Sequence, residues 1–128
     1  MGYRILIVDD SPISRITLRE MLESVGHQIV GEADSGRGGI DAYHALRPDL
    51  MTLDISLPDM DGIQVLRELR LKVPSAKAVL ISGNDQKKIL DQARLLRAPL
   101  VCKPFSLEEL EKALAQTAGA APGALKPR

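Results

Sequence analysis

The 128-residue chain has no tryptophan and only three aromatic side chains of the Phe/Tyr type, Tyr3, Tyr43 and Phe105. Excess charge is missing too, since 17 Lys and Arg stand against 17 Asp and Glu for a formal net charge of zero. A nucleic-acid footprint needs a basic excess or stacking rings, so direct contact with DNA or RNA is argued against. One cysteine, Cys102, excludes an internal disulfide and suits a reducing compartment. No apolar run approaches a membrane span, and the N-terminus has neither the charged nor the apolar region of a signal peptide. A soluble, cytoplasmic protein without a membrane partner is the expectation. Its length suits about one domain, burying roughly two thirds of the surface of the unfolded chain.

What is present is an alternation of short apolar runs with helical patterns. Ile5-Leu6-Ile7-Val8 ends in Asp9-Asp10-Ser11-Pro12, where Ser11 is an N-cap and Pro12 occupies the first helical position. Leu18, Met21, Leu22 and Val25 predict one buried stripe on that helix, which Gly26 ends. Ile29 to Ala33 reads as a weaker, edge strand, Asp34 to Gly39 as a loop, and Ile40, Tyr43 and Leu46 as one face of a second helix. Leu50 to Leu53 is a third strand and stops on Asp54. Asp61-Gly62 opens a third helix with Val65, Leu66, Leu69 and Val73 in helical spacing up to Pro74. Ala78 to Ile81 makes a fourth strand that delivers Ser82, and Gln86 to Arg97 a fourth helix whose face with Lys87, Lys88, Asp91 and Arg94 is solvated. Leu100 to Cys102 makes a fifth strand leading to Lys103-Pro104-Phe105. Ser106-Leu107-Glu108-Glu109 is a capping box for a last helix buried through Leu107, Leu110 and Leu114.

Five strand-then-helix units predict an α/β fold, a doubly wound five-stranded parallel sheet with five helices in the flavodoxin-like order 2-1-3-4-5. Taken alone, Asp54 reads equally as a site acid and as a mere strand cap or Asx-turn start. In this strand order, however, Asp9 and Asp10 arrive beside Asp54. Three carboxylates in one pocket raise one another's pKa, and a hard divalent cation resolves the repulsion. Mg²⁺ is the natural candidate because it takes a few carboxylates and leaves room for phosphate oxygens. Ser82 adds a hydroxyl donor and Lys103 a cation. Such a set suits a phosphoryl group, with Asp54 as a candidate nucleophile. A cis Lys103–Pro104 bond would aim the lysine inward, though only about 5% of X-Pro bonds are cis.

These motifs resemble the receiver domain of two-component response regulators. Asp9-Asp10, Asp54 with Leu57-Pro58-Asp59-Met60-Asp61-Gly62, Ser82-Gly83 and Lys103-Pro104-Phe105 follow strands one, three, four and five in that family's order, over about residues 4 to 117. The resemblance implies that Asp54 accepts a phosphoryl group from a sensor histidine kinase or histidine phosphotransfer protein. It implies that Asp10, Asp54 and the main-chain carbonyl of Ser56 bind Mg²⁺, with Asp9 assisting through water. It also implies that Lys103 contacts the phosphoryl group and that Ser82 swings toward it. The surface of helix four, strand five and helix five would then control a downstream protein target or output domain. Phosphorylation-dependent homodimerisation has no discriminating feature here.

The chain departs from the family at two positions: Leu100 stands where a Tyr or Phe is usual, and Arg97 where Gly is usual. The output surface is therefore expected to work without an aromatic toggle. Two rival readings are a phosphorylation-independent binding module, which Leu100 keeps open, and a haloacid-dehalogenase-type phosphatase. Against the latter, Ser56 stands where its second acid belongs and the acid pair precedes the nucleophile. Cys102 is expected to be a buried small hydrophobe, His27 and His44 surface residues, and Gly36-Arg37-Gly38-Gly39 a loop or poorly started helix rather than a phosphate cradle. Residues 1–118 would form the receiver domain, and the Ala/Gly/Pro-rich 119–128 a flexible tail or the start of a linker.

Overall fold

The computed structural model describes residues 2–83 and 87–119. Its elements are β1 (Arg4–Val8), α1 (Pro12–Ser24), β2 (Gln28–Ala33), α2 (Gly36–Leu46), β3 (Leu50–Asp54), α3 (Gly62–Lys72), β4 (Ala78–Ser82), α4 (Lys87–Leu95), β5 (Leu100–Cys102) and α5 (Leu107–Gly119). All strand pairs are parallel, in the order β2-β1-β3-β4-β5. The central strands are almost wholly apolar, apart from Thr52 in β3, because both faces are covered. Leu6, Val8, Met51, Leu53 and Leu80 pack with α2, α3 and α4 on one side, while Ile5, Ile7, Leu50, Val79 and Ile81 pack with α1 and α5 on the other. At the β2 edge the pairing shifts between Ile5 and Leu6, so that Ile29 and Gly31 face them and Val30 is passed over.

Capping follows the sequence closely. The Ser11 hydroxyl accepts the Ser14 N–H at 3.2 Å, and Asp61 accepts the Gln64 N–H at 2.9 Å. At α5, Ser106 Oγ accepts the Glu109 N–H at 3.0 Å while Glu109 accepts the Ser106 N–H at 2.8 Å, a complete capping box.

Several expectations are corrected. The stretch from Asp34 to Gly39 is not all loop, since α2 begins at Gly36. Its weak glycine-rich start is held by Ser35 Oγ, which accepts the Gly38 N–H, and by the Asp59 carboxylate, which accepts those of Gly36 and Arg37 at 2.7 and 2.9 Å. A Cβ at Gly39 would stand 2.9 Å from Val8, so close packing on β1 demands the glycine. Val25 is exposed because α1 has already ended at Ser24. Leu107 and Cys102 are half-buried rather than buried, Cys102 because β5 is a short edge strand. His44 is exposed as expected, but His27 is buried: its ring stacks on Tyr3, Nδ1 accepts the Tyr3 N–H at 3.0 Å, and Nε2 lies 2.7 Å from Glu111. Asn84, Asp85, the start of helix four at Gln86 and the expected tail from residue 120 onward lie outside the described residues.

Candidate phosphoryl and metal site

The carboxyl ends of the strands bring the expected acids together. Asp9 follows β1 and is 1% exposed, Asp10 beside it is exposed, and Asp54 closes β3 at 6% exposed. One carboxylate oxygen from each lies within 4.8 Å of the others. Two main-chain donors orient the buried pair: the Ser11 N–H binds Asp9 Oδ1 and the Ser56 N–H binds Asp54 Oδ1, both at 2.9 Å. Their second oxygens face Lys103 Nζ, at 3.8 Å from Asp9 and 3.7 Å from Asp54. Those distances are long for a direct hydrogen bond. Asp9 Oδ2 is buried without a hydrogen-bond partner. A desolvated carboxylate oxygen, flanked by two further acids, fits a hard divalent cation such as Mg²⁺.

Burial is the largest influence on Asp54 and pushes its pKa up. The Ser56 N–H opposes that shift, the Asp9 charge adds to it, and Lys103 opposes it. The carboxyl group therefore holds a proton more readily than an ordinary aspartate.

The other expected residues come to the same rim. Ser82 is the last residue of β4 and 2% exposed, and its carbonyl accepts the Lys103 N–H at 2.8 Å. The Lys103–Pro104 peptide is cis. Ser56 is exposed in the loop after β3. Gly62 is required by proximity, since its Cβ would meet the Asp54 carbonyl oxygen at 2.5 Å. Two further residues, Asp59 and Arg15, shape the site. Asp59 ties the loop after Asp54 to the start of α2, and the two hydrogen bonds it accepts there lower its pKa. Arg15 reaches the Asp9 carbonyl at 2.6 Å and Glu32 at 3.1 Å. Those contacts join separate elements, so no local spacing reveals them.

The model of the response regulator receiver domain matches residues 5–115. Chemotaxis protein CheY of Thermotoga maritima is 35% identical over 115 residues, covering 89% of this chain and 96% of that protein. Protein CcdB of Bacillus subtilis is 37% identical over 117 residues, with 91% and 98% covered. Among solved structures, the receiver domain of the putative response regulator NarL from Mycobacterium tuberculosis has a TM-score of 0.85 at 31% identity, covering 93% of this chain and 98% of that one. CheY of Borrelia burgdorferi, in a complex with CheX, BeF3 and Mg²⁺, has a TM-score of 0.82 at 26% identity, with 88% and 87% covered. The matched segment runs from the first strand into the last helix, and the chain belongs to the response regulator receiver domains of two-component signalling.

Proposed function

We propose that Asp54 is the phosphoacceptor, taking a phosphoryl group from a phosphohistidine on a sensor kinase or phosphotransfer protein in the cytoplasm. The observation that carries this reading is the convergence of Asp54 Oδ2 and Asp9 Oδ2 on Lys103 Nζ at 3.7 and 3.8 Å beside an exposed third acid. In the transfer, a carboxylate oxygen of Asp54 forms the new P–O bond as the P–N bond breaks, and the imidazole leaves with the pair of electrons and takes a proton. Asp10, Asp54 and the Ser56 carbonyl would hold Mg²⁺, with Asp9 acting through water; the cation supplies charge neutralisation on the phosphoryl oxygens. Lys103 offsets the remaining charge from the other side. Ser82, held at the rim by β4, donates its hydroxyl to a phosphoryl oxygen.

The donor protein has a surface on which to dock. Ile13, Ser14, Thr17 and Met21 of α1 and Pro104 and Phe105 line a mainly apolar groove of about 260 Å³ that opens beside Lys103. Ile13 is 76% exposed on its rim. Ile13→Asp should slow transfer from a phosphohistidine protein and leave phosphorylation by acetyl phosphate unchanged; equal slowing of both would remove the groove from the donor interface.

Aspartyl phosphate adds nearly two negative charges at one point, enough to bias an element with two packings. The α4/β5/α5 surface is that element, and it acts on a partner or output domain. Leu100, half-buried against the core, supplies no ring to change rotamer. Amide shifts confined to the pocket, leaving residues 84 to 103 unmoved on phosphorylation, would contradict this output.

The central test is intact mass after incubation with acetyl phosphate, with Mg²⁺ and then with chelator, on wild type and Asp54→Asn. One phosphoryl group that needs Mg²⁺ and is lost in the variant is expected. No adduct on wild type in the cold would favour a phosphorylation-independent binding module.

A further inference from the structure

We infer that Arg15 is a positioning residue for the acid pair, setting cation affinity through the main chain of Asp9; this rests on reading the three acids as a divalent-cation site. The Asp9 backbone is held on both sides. Its N–H donates to the Ala33 carbonyl of β2 at 3.0 Å, and its carbonyl accepts Arg15 Nη1 at 2.6 Å. That carbonyl belongs to the peptide joining Asp9 to Asp10. Fixing its plane fixes the Asp10 N and Cα from which that side chain leaves the backbone. Asp10 is exposed, so packing alone cannot place it.

Arg15 is itself aimed from outside the site. Its Nε donates to Glu32 Oε1 at 3.1 Å, while the other Glu32 oxygen takes Arg19 at 2.7 to 2.8 Å. A planar guanidinium can satisfy a carboxylate and a carbonyl together, a geometry that a lysine ammonium does not reproduce. The Arg15 side chain is 19% exposed against 38% for Arg19, as expected of a group working inward rather than of a surface ion pair. Surface pairs contribute little to stability. Groups that orient metal ligands, by contrast, change metal affinity by about tenfold or more when removed.

The experiment is an amide NMR titration with MgCl₂ on the unphosphorylated protein, following Asp10, Asp54 and Ser56, with thermal unfolding in chelator alongside. Arg15→Met keeps the apolar stem and should raise the Mg²⁺ midpoint about tenfold. Arg15→Lys and Glu32→Gln should give smaller rises, all three reaching the wild-type end point at saturation. A midpoint within about twofold of wild type in folded Arg15→Met, whatever its melting temperature, would reduce Arg15 to a structural residue and overturn the inference. Should Arg15→Met fail to fold, Arg15→Lys and Glu32→Gln decide by the same criterion. Wild-type protein whose pocket amides do not respond to Mg²⁺ would instead overturn the cation site itself.

Discussion

Asp54→Asn should stabilise the cation-free protein, and the size of the gain follows from opposing effects in the pocket. The Asp54 carboxylate stands within 4.8 Å of Asp9. At an effective dielectric of about 20 that repulsion is at least about 3.5 kcal/mol. Lys103 Nζ at 3.7 Å gives about 4.5 kcal/mol of attraction on the same basis. The lysine side chain is 35% exposed, however, so solvent screens much of this and the two nearly cancel. What remains is the cost of burying a carboxylate that is 6% exposed, the largest cause of its raised pKa. An amide avoids that cost, and its oxygen can still accept the Ser56 N–H. The net gain at pH 7 should be about 1–2 kcal/mol.

The sign of the pH dependence follows from the same shift. The folded pKa of Asp54 lies above the ordinary 3.8, so the native state binds a proton before the unfolded chain does. Wild-type stability therefore gains from Asp54 as pH falls through the raised value, and this contribution levels off below the ordinary one. The amide of the variant cannot titrate, so its advantage shrinks over that interval. Under the proposed chemistry Mg²⁺ should reverse the ranking, because a ligand at a hundredfold excess over its Kd stabilises the wild type by about 2.7 kcal/mol and the variant lacks one of three acids. Urea unfolding followed by circular dichroism, in chelator across pH and in MgCl₂ at pH 7, checks each step. A variant less stable than wild type at pH 7 in chelator, or a gain that does not change with pH, would refute the reasoning.

Other perturbations test the scaffold around the pocket. Gly62→Ala forces a methyl to 2.5 Å from the Asp54 carbonyl and 3.0 Å from Ile55 Cα, backbone that cannot turn aside; a loss of about 1–3 kcal/mol in urea and a lower phosphorylated fraction are expected. Arg97 holds a left-handed φ of 54° after α4, so Arg97→Gly should stabilise by about 1 kcal/mol, and an unchanged urea midpoint would contradict that. Thr52 is 0% exposed with its hydroxyl unpartnered; Thr52→Val should gain about 1 kcal/mol, and destabilisation would show the hydroxyl to be satisfied.

The strand order and the acid cluster were legible because both depend on period and position in the chain. Each buried strand is a short, mostly apolar run, each ends on or just before a residue that reaches the pocket, and right-handed crossovers leave few ways to arrange them. Ser11, Asp61 and the Ser106/Glu109 box were legible for a similar reason, since caps are local. Val25 and Cys102 were misread through the local ends of α1 and β5, and the larger misses rest on distant partners. The beginning of α2 depends on Asp59 from the loop after β3, which overrides a poor glycine-rich start. His27 is buried by Tyr3 and Glu111 from opposite ends of the sequence, and nothing around residue 27 signals either. Arg15 reads as an ordinary charge on α1 until Asp9 and Glu32 are seen on either side of it.

The sheet order also bears on when a newly made chain becomes competent. Lys103 follows a three-residue strand at the sheet edge, and β5 is hydrogen-bonded to β4 alone. The strands that bring Asp9, Asp10, Asp54 and Ser82 to the pocket, β1, β3 and β4, are all made before β5. The pocket would then be all acid and would hold its protons or a cation with no lysine to offset an arriving phosphoryl group. Translation delivers the missing charge last, together with the helix that covers that face of the sheet. Under the proposed chemistry, receipt of a signal waits on synthesis through β5, because a chain that stops before it lacks Lys103.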